Sequence, residues 1–544
     1  MEMTGGEALA AQLAREGVST VFGVPGVQLD HAVDGLYRER ERIRFVPTRH
    51  EQAATYMADG YARSLGRPGV AMVVPGPGVL NAAAGLATAY ACSSPVLLLA
   101  GQIASSHIGE GLGLLHEIPN QSALVASLTK WTGRAQGPAE IPALVRRAMH
   151  HLGAGRPRPV ALELPPDVLA ARAEITLVEP EDDREQGRLA PEEESVHRLV
   201  ALLEASERPL LVAGGGALRS GAGAALGALA ERLGAPVVVT DNGRGVLSDR
   251  HPLCLTSLSG RPLLRQADVV VGVGTRFVTL RGAPLPVDGH LALINADAAD
   301  LGGVRRPEIA LLADARLALG ALADAIRGSR RARAPWADLG RLEAEARRAI
   351  DAVQPEAAYV AALRDAIPED GVLVNELTQV GYLARVAYPV YEPGTLIGPG
   401  YQGTLGYGFP TALGVQVARP DRAVVSITGD GGFGWTLQEL ATARRESLPL
   451  VTVVFNDGAF GNVRRTQKAE FDGHVLGTDL ANPDFVRLAE AFGVAGERVD
   501  GPEALGAALR SALSARTPAL IEVRVGEMPS PWPLLTGASA ADRR

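Results

Sequence analysis

A single rhythm recurs from one end of the chain to the other: a short apolar run, a glycine-bearing turn, then a segment of helical length. Val21 to Val24, Gly69 to Val74 and Pro95 to Leu99 read as buried strands, and His50 to Leu65 and Val79 to Tyr90 as helices between them. Strands that are apolar throughout, rather than alternating, belong to parallel sheets covered on both faces by helices. At 544 residues the chain exceeds what one hydrophobic core serves, so several such units are expected. Two stretches interrupt the rhythm and read as linkers. Ala171 to Glu194 is acidic and proline-bearing; Gly328 to Ile350 is rich in Arg and Ala and reads as partly helical. The fold class is therefore α/β, with three doubly wound parallel-sheet domains over 1–172, 190–328 and 352–530. The first and third are similar in size and rhythm, and Gly537 to Arg544 reads as a loose tail.

A net charge of −8 argues against nucleic acid as a main partner, since a phosphate-binding surface needs a basic excess. The two cysteines, Cys92 and Cys254, make neither a disulfide framework nor a zinc site, which fits a reducing, cytoplasmic location. Met1 to Gln12 lacks the basic and apolar regions of a signal peptide, and apolar runs such as Pro95 to Ala100 are too short to span a bilayer, so no membrane partner is expected.

The most specific local signal lies in the third segment. The apolar run Ala423 to Ile427 leads into Gly429-Asp430-Gly431-Gly432, with a helix expected to begin near Thr436; the next run, Leu450 to Phe455, ends in Asn456-Asp457-Gly458. Consecutive parallel strands present their C-terminal ends on one edge, where ligands bind, so Asp430 and Asn456 should approach each other there. One carboxylate, one amide oxygen and the Gly458 carbonyl suit Mg2+, a hard cation that takes few protein oxygens and completes its shell with phosphate and water. A Gly-Asp-Gly alone is more often a plain turn; its pairing with an Asn closing the next strand is what separates it from one.

That pairing resembles the thiamine-diphosphate enzymes, and within them the group containing acetolactate synthase, benzoylformate decarboxylase and benzaldehyde lyase. The similarity runs over nearly the whole chain. It implies a pyrimidine-binding, a central Rossmann-like and a diphosphate-binding domain, in that order, with thiamine diphosphate and Mg2+ as cofactors. By the resemblance Asp430, Asn456 and Gly458 hold the metal. Gly429, Gly431, Gly432, Thr378 and Gln379 meet the diphosphate, and Gly403 and Leu405 grip the aminopyrimidine, with Leu405 wedged beneath the bent cofactor. Trp435 and Phe460 border the pocket, ordinary core packing being the alternative.

Arg49-His50-Glu51 followed by Ala58-Asp59-Gly60-Tyr61-Ala62-Arg63 carries the same resemblance in the first segment. A Glu at a helix start is by default a solvated residue favoured by the helix dipole; the resemblance makes Glu51 the acid that hydrogen-bonds the pyrimidine ring nitrogen and activates the cofactor. Gln28 stands where benzaldehyde lyase has an active-site His, and His116 aligns, with a one-residue shift, to an active-site Gln. His116 is thus a candidate proton shuttle and Gln28 a candidate carbonyl-orienting group. Since Glu51 and Asp430 lie in different domains, the resemblance further implies a homo-oligomer, dimer or tetramer, with active sites between subunits.

Gly214-Gly215-Gly216 and Gly272-Val273-Gly274 do not complete a dinucleotide fingerprint. The stretch typical of the family's FAD binders is replaced by Leu255-Thr256-Ser257-Leu258-Ser259-Gly260, so FAD is not expected. The reading is an acetolactate synthase-like 2-oxo acid decarboxylase or carboligase acting on small molecules. The alternative is an acyloin lyase or ligase that takes aldehydes without decarboxylation; a noncatalytic cofactor binder and a central-domain dehydrogenase rank behind it.

Overall fold

The computed structural model describes residues 1–180, 187–279, 282–303, 305–326 and 334–537. Three six-stranded sheets follow one another along the chain, and every pairing within them is parallel. From edge to edge the first runs Arg44–Pro47, Thr20–Gly23, Gly69–Val73, Val96–Gly101, Val160–Leu164, Thr132–Arg134. The third runs Leu396–Ile397, Val372–Asn375, Val424–Gly429, Leu450–Asn456, Ala519–Arg524, Ala495–Val499. Numbered by chain order within each sheet, both are 2-1-3-4-6-5, so the similar rhythm of the first and third segments reflects one topology used twice. The central sheet runs Cys254–Thr256, Val237–Val239, Pro209–Ala213, Val269–Val273, His290–Asn295, Ile309–Leu312, which is the 3-2-1-4-5-6 order of dinucleotide-binding folds.

In a 2-1-3-4 order the chain leaves strands 1 and 3 in opposite directions, opening a crevice beyond their C-terminal ends. In the first domain this crevice follows Gly23 and Val73; in the third it follows Asn375 and Gly429.

The expected elements form, with two differences. Helix geometry after Gly429 begins at Asp430 itself (Asp430–Phe433), not near Thr436: the glycines let the chain turn straight from strand into helix. Part of the first expected linker is structured, because Arg172–Glu174 pairs antiparallel with Glu2–Thr4 and ties the chain start to the end of the first domain. The second linker is partly helical, as expected: it carries the helix Leu339–Asp351, with Asp338 accepting the Arg341 N–H at its start. Residues 181–186, 328–333 and 538–544 of the two linkers and the tail lie outside the described residues.

The central domain has its own core, whereas the first and third share one in addition to their separate cores. The shared core forms where helix Glu51–Leu65 crosses helix Gly408–Ala418. Gly60 and Gly414 allow the close approach: a Cβ at Gly60 would lie 2.1 Å from the Thr411 carbonyl oxygen, and one at Gly414 2.0 Å from that of Met57.

Candidate functional site

Asp430 opens the helical turn after Val424–Gly429, and Asn456 closes the neighbouring strand Leu450–Asn456. Their oxygens converge on a single donor. Asn482 Nδ2 lies 2.6 Å from Asp430 Oδ2 and 3.1 Å from Asn456 Oδ1. The Asn456 amide is oriented from behind, its Nδ2 donating to buried Glu522 Oε1 at 2.8 Å, while Arg498 Nε holds Glu522 Oε2 at 2.8 Å. Gly458, at φ +66°, donates its N–H to Asn456 Oδ1 at 3.2 Å, and its carbonyl accepts the Leu480 N–H at 2.9 Å, leaving one lone pair. Burial raises the Asp430 carboxyl above the usual range, with the Asn482 amide acting against the rise. Asp457 is pushed up to about 6, first by burial and then by the Asp430 charge. Among the described residues no group of three or more His, Cys, Asp or Glu could hold a metal, so a cation here would rely on amide and backbone oxygens beside the Asp430 carboxylate and its neighbour Asp457.

Beside this cluster lies the crevice of the third domain. Thr378 precedes helix Gln379–Ala387, and Gln379 Oε1 accepts from Arg465 Nη1 at 3.0 Å. Across from them is the turn Gly429–Gly432. The Phe460 ring packs on Gly431, where a Cβ would lie 2.7 Å from Cε1. Gly403, at φ +59°, and half-buried Leu405 sit on the loop leading into helix Gly408–Ala418. Trp435, 56% exposed, lies against Gly406.

In the first domain Glu51 is half-buried at the first position of its helix, with Oε2 accepting from Asn81 Nδ2 at 3.0 Å. His50 caps that helix, Nδ1 accepting the Gln52 N–H at 3.2 Å. Gln28 and His116 meet in the first domain's crevice, His116 Nδ1 lying 3.2 Å from Gln28 Oε1. His116 has φ +68°, a left-handed conformation uncommon outside glycine and enriched at functional sites. Gly76 accommodates it, for a Cβ there would lie 2.2 Å from the His116 carbonyl oxygen. Within one chain, among the described residues, no hydrogen bond or ion pair joins Glu51 to Asp430 or Asn456.

Three residues at this site escape the sequence reading. Asn482 bridges the two oxygens already described. Glu376, 2% exposed, accepts the N–H groups of Gly406 at 2.7 Å and Gly408 at 2.8 Å. Glu439, fully buried in the third domain, accepts the Arg49 N–H across the domain boundary at 3.0 Å, just ahead of Glu51. Burial pushes both carboxyls up to about 7, partly offset by these N–H donors. Only Glu376 lies close in sequence to residues the resemblance singles out, two positions before Thr378.

In the central domain, Gly214 and Gly216 pack against the Gly274 turn, the Gly216 N–H donating to the Gly274 carbonyl at 2.9 Å. Both cysteines are free and buried. Among the described residues no helix is long and apolar enough to cross a membrane.

Two crevices of matching topology, one with an acid at a helix start and the other with converging oxygens beside a glycine turn, define a cofactor-binding α/β protein. Comparison with known proteins identifies the family. The pattern of the thiamine pyrophosphate enzyme N-terminal TPP binding domain matches residues 3–124, that of the central domain 196–322, and that of the C-terminal TPP binding domain 378–523. A probable 2-ketoarginine decarboxylase of Pseudomonas aeruginosa is 38% identical, over 96% of this chain and 94% of the relative. A probable acetolactate synthase large subunit of Methanocaldococcus jannaschii is 32% identical over 96% and 92%, and an acetolactate synthase of Arthrospira platensis 32% over 98% and 96%. The chain belongs to the thiamine pyrophosphate enzyme family.

Proposed function

We propose that this protein is a thiamine-diphosphate- and Mg2+-dependent enzyme that decarboxylates a 2-oxo acid and releases the acyl unit or transfers it to a second carbonyl. The observation that carries the metal assignment is the convergence of Asp430 Oδ2 and Asn456 Oδ1 on one hydrogen-bond donor. Two oxygens already aimed at one electropositive atom fit a cation without rearrangement of either strand, and the free lone pair of the Gly458 carbonyl adds a third donor. A name containing a 2-oxo acid for the relative at 38% identity supports the substrate class.

When bound, thiamine diphosphate supplies an electron sink for the pair left behind by departing CO2. The chain's own groups do the rest. Asp430, Asn456 and Gly458 hold Mg2+, while Thr378, Gln379 and the Gly429–Gly432 turn face the diphosphate. Leu405 and Gly403 support the ring system. Glu51, its carboxyl steadied by Asn81, gives a hydrogen bond to the ring nitrogen of the aminopyrimidine. His116 and Gln28, already bonded to each other, hold the substrate carbonyl and move a proton at the reacting carbon. Units of about 1–172, 190–328 and 352–530 carry these parts, and two or more chains assemble to complete each site.

The test is a substrate panel on protein supplied with Mg2+ and thiamine diphosphate, measuring CO2 and carboligation products together. Pyruvate, 5-guanidino-2-oxopentanoate and benzoylformate are expected to include a CO2-releasing donor, and chelation by EDTA is expected to stop release. Cleavage or condensation of acyloins and aldehydes with no CO2 from any 2-oxo acid would replace this reading with the lyase.

A further inference from the structure

Glu376 stands at the C-terminal end of Val372–Asn375, at the crevice of the third domain, and is almost wholly removed from solvent. One carboxylate oxygen accepts the Gly406 N–H and the other the Gly408 N–H, so both amides flanking Tyr407 are fixed to one planar group. The same carboxylate touches the opposite wall: a Cβ at Gly432 would lie 2.3 Å from Oε1, so only glycine there lets the Asp430–Phe433 turn close onto it. Its own backbone carbonyl accepts the Thr378 N–H at 3.0 Å. A single residue therefore joins the loop carrying Leu405 and the turn after Asp430 through its side chain, and the segment carrying Thr378 through its backbone carbonyl.

This arrangement is costly as a device for stability alone. Among the described residues no cation pairs with Glu376, so the desolvation cost of burying its carboxyl is offset only in part, by the N–H groups it accepts. What an apolar group cannot supply is two fixed acceptor atoms that set the height of one loop against another.

We propose that Glu376 is a positioning residue: by pinning Gly406 and Gly408 it sets where Leu405 stands relative to the Asp430–Gly432 turn, and so sets the bend imposed on the cofactor rather than the strength of metal and diphosphate binding. The inference rests on the cofactor reading given above. Glu376→Gln keeps the shape and one acceptor, but turns an NH2 toward one of the two backbone N–H groups, which releases that end of the loop. Glu376→Asp keeps both acceptors one methylene further away.

The experiment uses the full-length protein. Mg2+ with inorganic diphosphate, and Mg2+ with thiamine diphosphate, are titrated calorimetrically. Hydrogen exchange at the thiazolium C2 of the bound cofactor is followed by quenched-flow NMR, and folding is checked by thermal unfolding. For Glu376→Gln, exchange is expected to fall on the order of a hundredfold, the penalty of displacing a reacting pair by about an ångström, with inorganic diphosphate bound as in wild type. Glu376→Asp should lie between, and serves as the test if the Gln variant does not fold. Unchanged exchange overturns the proposal, and so does a loss of inorganic diphosphate binding in proportion to the loss of exchange, which would mark a general loosening of the site. Failure of the wild type to bind thiamine diphosphate would instead remove the cofactor reading, and this inference with it.

Discussion

Glu376 and Glu439 are buried carboxyls raised to about 7 chiefly by desolvation, and that has a thermodynamic sign. In the unfolded chain both ionise near the ordinary Glu value of about 4.3. Between there and about 7 the folded protein holds protons that the unfolded chain has released, so unfolding sheds protons and stability falls as pH rises through that window. Above it the loss is complete and the dependence levels off. A tenfold change in a carboxyl's proton affinity corresponds to about 1.4 kcal/mol, which puts the full effect on the order of 3 kcal/mol per group. The cofactor-free protein is therefore expected to melt at a lower temperature at pH 7.5 than at pH 5. Glu439→Gln, which has no charge to bury, should show a visibly shallower decline. Calorimetric melting of both proteins across that range decides it; parallel curves would show that Glu439 is not protonated in the fold at low pH. The residues of this site differ in how far the sequence discloses them. Asp430, Asn456 and Glu51 stand inside local patterns at strand ends and a helix start. Glu439 and Asn482 act on atoms from other strands or another domain, Glu439 reaching 390 positions back to Arg49, and no local pattern encodes such a partner. Gln28 and His116 stand in separate stretches of sequence, and their mutual hydrogen bond depends on a left-handed turn at His116 that residue type alone does not announce.

At the scale of elements, the helix that carries Glu51 is fixed by its crossing with Gly408–Ala418. The apolar runs disclose the strands, because a two-sided buried strand has no polar face to confuse it. They do not disclose which helices cross between domains, since glycines at a helix crossing look the same in sequence as glycines in a weak helix. The polar strand Arg172–Glu174 is likewise invisible: three residues are too few for a period, and its partner lies at the other end of the domain. The crossing makes its own prediction. A valine at position 414 would push against the Met57 carbonyl, a backbone atom that cannot rotate away. Gly414→Val is expected to cost about 1–3 kcal/mol or more and to lower the melting temperature by several degrees. It should reduce activity further than stability accounts for, because the displaced helix bears Glu51. Gly153→Ala, with nothing within 4 Å of the added carbon, is the neutral control. A Gly414→Val protein with wild-type melting and turnover would mean the two helices slide freely past each other.

Across the whole molecule, the first and third domains share a strand order and a core, yet their two crevices are not bonded to each other through Glu51 and Asp430 in one chain. Large apolar side chains remain exposed in both. Val27 and Leu115 adjoin Gln28 and His116 in the first, and Trp435, Phe471 and Leu476 lie just past the glycine turn or on the segment after Phe460 in the third. Where exposed apolar groups form one contiguous patch, they mark a surface that meets a partner. If that partner is a second copy related by a twofold axis, the first domain of each chain faces the third domain of the other, and each site takes Glu51 from one chain and Asp430 from its mate. The arithmetic of mixed assemblies then separates the alternatives. Glu51→Gln alone and Asp430→Ala alone should each be inactive. In a hybrid of the two, one site receives both defects and the other receives neither, so that second site is intact. Co-expressed with different affinity tags and left to assort at random, the mixture should recover about a quarter of wild-type turnover, and hybrids isolated through both tags about half. If instead Glu51 and Asp430 of the same chain met in one site, every site in the hybrid would carry one defect and no activity would return.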